Sequence, residues 1–344
     1  MIVRSFSIHT LVKKCISGNH MYKLTSVMLI FLGLPGCISQ PSLFSSVGPL
    51  QESTVSGEGE QKILMIDIAG MLTSSKPSGF IDQIVDRPSL PARLKEELLQ
   101  ASEDQHIKAV ILRINSPGGT VTASDILHHE IQEFKEKYNI PVIASILDLG
   151  TSGGYYLATA ADRIIAHPST ITGSIGVIMV SINAEGLLQK IGVTPRTITS
   201  GPNKAMGSPF HTMTDEERAI FQGVIDSMYE QFVAVVKAGR PNLNEQEIRR
   251  LADGRIYTAS QALDAGLIDT IGYMEDAVAL AKKQANLDEA TVITYHRAGG
   301  YKHNIYSSTL TENIESRKYP SLDASSLLTL LSGGAPQFLY MWMP

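Results

Sequence analysis

Cysteine is almost absent. The chain's two cysteines, Cys15 and Cys37, both precede the segment that reads as folded. That pattern excludes an internal disulfide framework, a CxxC redox site and a cysteine-held zinc. The nine histidines show no HExxH or comparable ligand spacing, so no metal is expected. There is no block of lysine and arginine interleaved with aromatics, and the formal net charge is −5, so nucleic acid is not an expected partner. Nothing in the sequence calls for a cofactor. What remains is ordinary for a globular α/β protein: 43% hydrophobic and 18% charged residues, in a length sufficient for one large domain or two small ones.

The N-terminus carries an address. Lys23 precedes an uncharged apolar run, Leu24 to Leu34. The run is shorter than the about 20 residues of a spanning helix and suits a signal-peptide core. Leu34-Pro35-Gly36-Cys37 resembles a bacterial lipobox with an atypical proline, which makes Cys37 a candidate lipidation site. An uncleaved anchor is the alternative, and Met21 is an alternative start. Either reading puts the body of the protein across a membrane. Residues 1–38 are therefore read as signal or anchor, 39–61 as a polar linker, 62–290 as the catalytic domain and 291–344 as a C-terminal extension.

Short apolar runs at 62–70, 108–115 and 141–148 alternate with helical patterns at 92–104 and 122–138. Strand, helix, strand in that rhythm predicts parallel strands with helical crossovers. Capping-box patterns at Thr214 and Thr258 open later helices. In the longer of these, Ile220, Val224, Met228, Phe232 and Val235 mark an apolar face. In such sheets, sites gather at the carboxyl ends of strands. Two small-residue corners fall there, Asn115-Ser116-Pro117-Gly118-Gly119 and Gly150-Thr151-Ser152-Gly153-Gly154.

Ser152 is the candidate nucleophile. It needs a base and donors for an oxyanion. Gly119 and Gly153 supply unobstructed N–H groups, and tight turning is the competing explanation of both corners. His167 and His211 are candidate bases without an evident orienting acid. Lys204 is another, provided desolvation leaves its amine neutral. Only Glu185 is acidic between Asp162 and Asp215.

NSPGGTV, SGGYY preceded by Asp148, TGSIGV, GPNKAMGSPF and RIYTASQALDAGLID occur in that order. Together they resemble the SppA signal peptide peptidases of the ClpP/crotonase superfamily, over about residues 62–285. The resemblance implies a ClpP/crotonase-like α/β fold with a more helical second half. It implies a serine endopeptidase with Ser152 as nucleophile and Lys204 as general base. It also implies oxyanion donors at Gly119 and Gly153, and Ser174 orienting the lysine. Tyr155 and Tyr156 read as packing. The resemblance further implies a homo-oligomer whose sites are shared between protomers, acting on cleaved signal peptides at the extracytoplasmic face of a bacterial envelope. Two alternatives are a crotonase-type acyl-CoA enzyme and an inactive membrane-associated scaffold of the same fold. The closing GAPQFLYMWMP is expected at a protomer interface or against the membrane, or else only loosely docked.

Overall fold

The computed structural model describes residues 49–75, 88–297 and 337–343. The signal or anchor segment, Cys37 and the polar stretch 301–323 lie outside the described residues.

β1 (Gln51–Ser56) is followed by β2 (Lys62–Ala69), helix α1 (Leu90–Glu103), β3 (Ile107–Ser116), β4 (Gly118–Thr120), α2 (Val121–Tyr138) and β5 (Val142–Thr151). Next come α3 (Gly153–Ala158), β6 (Arg163–Ala166), β7 (Ile171–Gly173), β8 (Ile178–Val180) and α4 (Glu185–Lys190). The second half adds α5 (Asp215–Gly239), α6 (Glu245–Leu251), β9 (Ile256–Thr258), α7 (Ala259–Asp264), β10 (Thr270–Ile271), α8 (Met274–Gln284), β11 (Thr291–His296) and β12 (Gln337–Met341). The main sheet runs β1-β11-β2-β3-β5-β6-β10, with β7 beside β5 and β9 beside β7. Every pair from β11 to β10 is parallel; β1 and β9 join antiparallel. The expected α/β architecture is the one observed.

The apolar runs are continuous because the sheet is covered on both faces. Alternate residues serve opposite layers. Leu64, Ile66 and Ile68 of β2, with Val110, Leu112 and Ile114 of β3, pack under α1, α2 and α3. Ile63, Met65, Ala109 and Ile111 face the other way, against Met274, Ala277 and Ala281 of α8. On α1 the buried face includes the expected Leu94, Leu98 and Ala101. On α2, Leu127 is in the core and Ile126 is only half-buried. On α5 the buried apolar residues are Phe221, Phe232, Val233 and Val236; Met228 and Val235 of the expected stripe are half-buried against the core, whereas Ile220 is 37% exposed. Both predicted capping boxes form.

Three elements lie outside the expected boundaries. β1 falls within the segment read as linker. Its mostly polar, exposed side chains are those of an edge strand that contributes backbone pairing rather than core. β11 lies beyond residue 290, yet it sits between β1 and β2 as part of the main sheet. β12, from the closing segment, inserts between β4 and β8 as the middle strand of a second sheet.

One end of the sheet holds buried charge. Asp67 and Arg113 are register partners, with Arg113 Nη2 donating to Asp67 Oδ2 at 2.7 Å. Beside them Arg93 Nη1 donates to Glu97 Oε1 at 2.9 Å. Glu97 is 3% exposed, and burial pushes its carboxyl up from 4.5 to about 7 despite Arg93. Between those values the folded chain keeps a proton that the unfolded chain has released. Stability is therefore full below the lower value and falls as pH rises through the upper one. Glu97→Gln removes this titration. Scanning calorimetry should then show the wild-type loss of Tm between pH 5 and pH 8 reduced by roughly 2–6 °C in the variant. An unchanged loss would place the titrating proton elsewhere.

Candidate active site

Ser152 stands where β5 ends and α3 begins. Its φ of +51° and ψ of −115° lie in a region that residues with a Cβ seldom adopt. Two hydrogen bonds hold it there: Ser152 N–H to the Gly173 carbonyl at 2.7 Å, and Tyr156 N–H to the Ser152 carbonyl at 2.8 Å. The residue is 1% exposed, and its hydroxyl has no hydrogen-bond partner among the described residues. The corner is sharp, and it keeps the side chain clear of the α3 N-terminal amides.

The second corner closes against it. Gly118 has φ +100°. A Cβ there would stand 2.8 Å from Gly153 N, and one on Gly119 would stand 1.9 Å from the Leu72 carbonyl oxygen. Leu72 N–H donates to Gly118 O and Thr120 N–H to Leu72 O, both at 2.9 Å. A Cβ on Gly153 would lie 2.3 Å from Ser124 Oγ. Backbone therefore touches backbone on three sides, and Gly118–Thr120 comes within reach of the residue after Ser152. Asn115 bridges the two strand ends, donating through Nδ2 to Asp148 Oδ2 at 3.0 Å and accepting from Leu149 N–H at 3.1 Å.

Ser174 follows β7, whose Gly173 is the register partner of Thr151. It is buried, has φ +49° and donates its N–H to Arg255 O at 2.7 Å. Ser152 and Ser174 each follow one of these paired residues, so adjacent strand ends bring the two serines near each other. No hydrogen bond joins Lys204 to either among the described residues. The lysine lies on a short 3-10 turn (Pro202–Ala205), is exposed, and has no side-chain partner among the described residues. The two histidines are tied elsewhere. His211 faces backbone oxygens with both ring nitrogens, Thr212 O and Ala205 O at 3.0 Å each. The Thr212 carbonyl, then that of Ala205, raises its pKa, because only the protonated ring can donate to both. That suits a structural cation and not a base. His167 is engaged by Ser169 at 2.8 Å and stands edge-on to Tyr273.

Both tyrosines of SGGYY are packed, as expected. Tyr155 donates to Leu267 O at 2.8 Å and Tyr156 to Asp125 Oδ1 at 2.6 Å; burial raises both phenols. Sequence reasoning missed what Tyr156 helps to build. Its ring stacks on Tyr340 of β12 at 5.2 Å and meets Phe232 at 5.1 Å; Phe232 and Tyr340 are 4.7 Å apart. The signal was available in QFLYM, an alternating run at the chain's far end. A cavity of about 430 Å³ adjoins this region, with Met179, Phe221 and Ile225 among its walls.

A methyl group at position 119 has no free volume. Gly119→Ala should destabilise the fold by about 3 kcal/mol or more, read as a large fall in the denaturant midpoint. A midpoint within error of wild type would mean that the Leu72 backbone moves aside freely.

Residues 134–288 match Peptidase family S49. A protein of Enterococcus faecium, provisionally named signal peptide peptidase SppA, is 39% identical over 246 residues, covering 71% of this chain and 70% of that one. A protein of Synechocystis sp. carrying the provisional name of protease is 38% identical over 242 residues, 70% of this chain and 79% of that one. Protease 4 of Haemophilus influenzae is 36% identical over 196 residues, of which this chain spans only 31% of the length. Among solved structures, a mutant ClpP1 from Listeria monocytogenes overlaps with a TM-score of 0.40 at 18% identity, over 62% of this chain and 94% of that one. With identity of 39% extending over most of both chains, this chain belongs to peptidase family S49, the serine peptidases of the SppA type.

Proposed function

We propose that the chain is a Ser–Lys endopeptidase anchored at the extracytoplasmic face of a bacterial membrane. In this reading it degrades remnant signal peptides and other apolar envelope peptides. The observation that carries the reading is the meeting of the two glycine corners around Ser152. Gly118, the residue before Gly119, closes on the Gly153 N–H, next to a serine held in a strained backbone. Ser152 Oγ attacks the peptide carbonyl and its proton passes to the neutral Lys204 amine. The carbonyl oxygen, now negative, is held by the two amides. Lys204 then gives its proton to the leaving amine, and a water deprotonated by the same lysine releases the acyl group. Ser174 positions the amine. No metal or cofactor takes part.

Lys204 is exposed in a single chain while Ser152 is buried, and this supports sites shared between protomers. The segment that carries it is built to be covered. Residues 191–200 are exposed without a break, and Leu187, Ile191, Val193 and Ile198 all present apolar side chains, Ile198 at 99%. A second copy laid over this arm would bury those residues. It would also desolvate Lys204, which is the condition for a neutral amine. Apolar residues beside the pocket suit signal-peptide cores. The run Leu24–Leu34 and the Cys37 context support the anchor.

Ser152→Ala and Lys204→Ala should each lower kcat/KM on an apolar fluorogenic peptide by at least about 10³-fold, with oligomer size unchanged by light scattering. Mixing the two inactive variants under subunit exchange should restore about a quarter of wild-type activity, because one site in four then pairs an intact serine with an intact lysine across a ring interface. Activity surviving in Lys204→Ala would sink the dyad, and no recovery on mixing would sink the shared site.

A further inference from the structure

We infer that His211 is a positioning residue for the general base: its protonated ring ties the turn that carries Lys204 to the N-terminal cap of α5, and releases that turn when the proton leaves. The inference rests on the reading of Lys204 as the base. It makes the placement of the amine, as well as its charge, a function of pH.

The internal bonds of the Pro202–Ala205 turn are long. Lys204 N–H reaches Gly201 O at 3.2 Å, and Met206 N–H reaches Asn203 O at 3.3 Å. Bonds of that length hold a 3-10 turn weakly. Two outside ties flank the lysine instead. Before it, Asn203 Nδ2 donates to Glu216 Oε1 of α5 at 3.1 Å, an exposed contact. After it, His211 Nε2 meets the Ala205 carbonyl oxygen at 3.0 Å, while Nδ1 meets Thr212 O at 3.0 Å. The ring therefore bridges the residue next to Lys204 and the residue two before the α5 cap, Thr214. The far end of that bridge is fixed independently. Thr212 donates its N–H and its hydroxyl to Glu185 Oε2 of α4, both at 2.8 Å, and Thr214 forms a closed capping box with Glu217. With one end anchored, the ring sets where Ala205 stands, and with it Lys204.

Both partners of the ring are acceptors. A neutral imidazole has one N–H and one lone pair, so it serves one carbonyl and turns the lone pair toward the other. Losing the proton thus converts one attraction into a repulsion. The charges around the ring come from α4, α5 and the turn. Glu217 Oε1 stands 3.7 Å from Nε2, and its other oxygen accepts the Thr214 N–H at 2.8 Å, so this buried carboxylate links the ring to the helix cap. Glu185 of α4 adds a second negative charge. Against them stand Arg218, which lines the same cavity as His211, and Lys204 on the turn itself. The two carbonyls, then the two carboxylates, hold the ring's pKa above 6.5. The clamp is therefore closed at lower pH and opens as pH rises through the raised value. Rising pH supplies the neutral amine that Lys204 needs and at the same time frees the turn that places it.

The test measures kcat and KM on one apolar fluorogenic peptide from about pH 6 to about pH 9, for the full chain, His211→Gln and His211→Arg, with oligomer size matched by light scattering. Glutamine offers a donor without charge at every pH, and arginine keeps both charge and donors throughout. His211→Gln should lower kcat about tenfold near pH 6 with KM within about twofold, and the deficit should vanish toward about pH 9, where the wild-type ring is neutral too. His211→Arg should restore kcat near pH 6 and exceed the wild type at least about threefold near pH 9. A deficit in His211→Gln of the same size across the range would mark a merely structural histidine and overturn the inference, as would wild-type kcat in that variant near pH 6. Hydrogen–deuterium exchange over residues 202–208 reads the clamp without chemistry. Near pH 6 His211→Gln should exchange there at least about fivefold faster than the wild type, and equal rates would overturn the inference. Faster exchange beside full activity in Lys204→Ala would leave the clamp standing and remove the proposed dyad instead.

Discussion

The whole site depends on one steric fact: no side chain can exist at Gly119. The Leu72 carbonyl oxygen occupies the space where its Cβ would be, and that contact is part of a short parallel bridge between Leu72 and Gly119. The bridge locks the turn after β3 against the chain that leaves β2. Once locked, the turn can reach neither toward solvent nor back into the core, so its other edge is left facing β5 and α3. Gly118, at a positive φ, and Gly153, pressed against Ser124 Oγ, complete the approach. Two consecutive glycines that open β4 and one that opens α3 therefore act as one constraint. The strained Ser152 backbone is affordable only because the parallel strands on either side already fix Thr151 against Gly173 and Ser116 against Gly150.

Much of this was written locally in the sequence. Continuous apolar runs told of strands covered on both faces, and the spacing on α1 told which residues face them. The two small-residue corners were visible because glycine pairs next to serine have few uses other than a tight turn or a close approach. What stayed hidden was long-range. β1 is polar because an edge strand needs only backbone pairing. On α5 the expected Phe232 is buried and Met228 and Val235 pack against the core, but beside the exposed Ile220 it is Phe221 that a distant strand covers. β12 lies more than 200 residues from β4, and no local pattern links QFLYM to SPGGT. Lys204 was singled out as a base candidate by the scarcity of nearby acids, yet the single chain leaves it exposed. Under the proposed shared site its surroundings come from another copy of the chain, which one copy's contacts do not contain.

The structure divides accordingly into a part that is finished and a part that is not. Residues around the main sheet bury their charges in pairs, as with Asp67 and Arg113, and leave few polar atoms unmatched. From Ser181 to Phe210 the reverse holds: apolar residues face solvent and the chain has little regular structure beyond α4. Under the proposed mechanism that division has a chemical logic. A nucleophile in a finished, rigid corner gains from preorganisation. A lysine base on an unfinished arm needs a neighbouring copy to complete its surroundings, so an isolated chain would be inert. Assembly would then control when a base stands near Ser152.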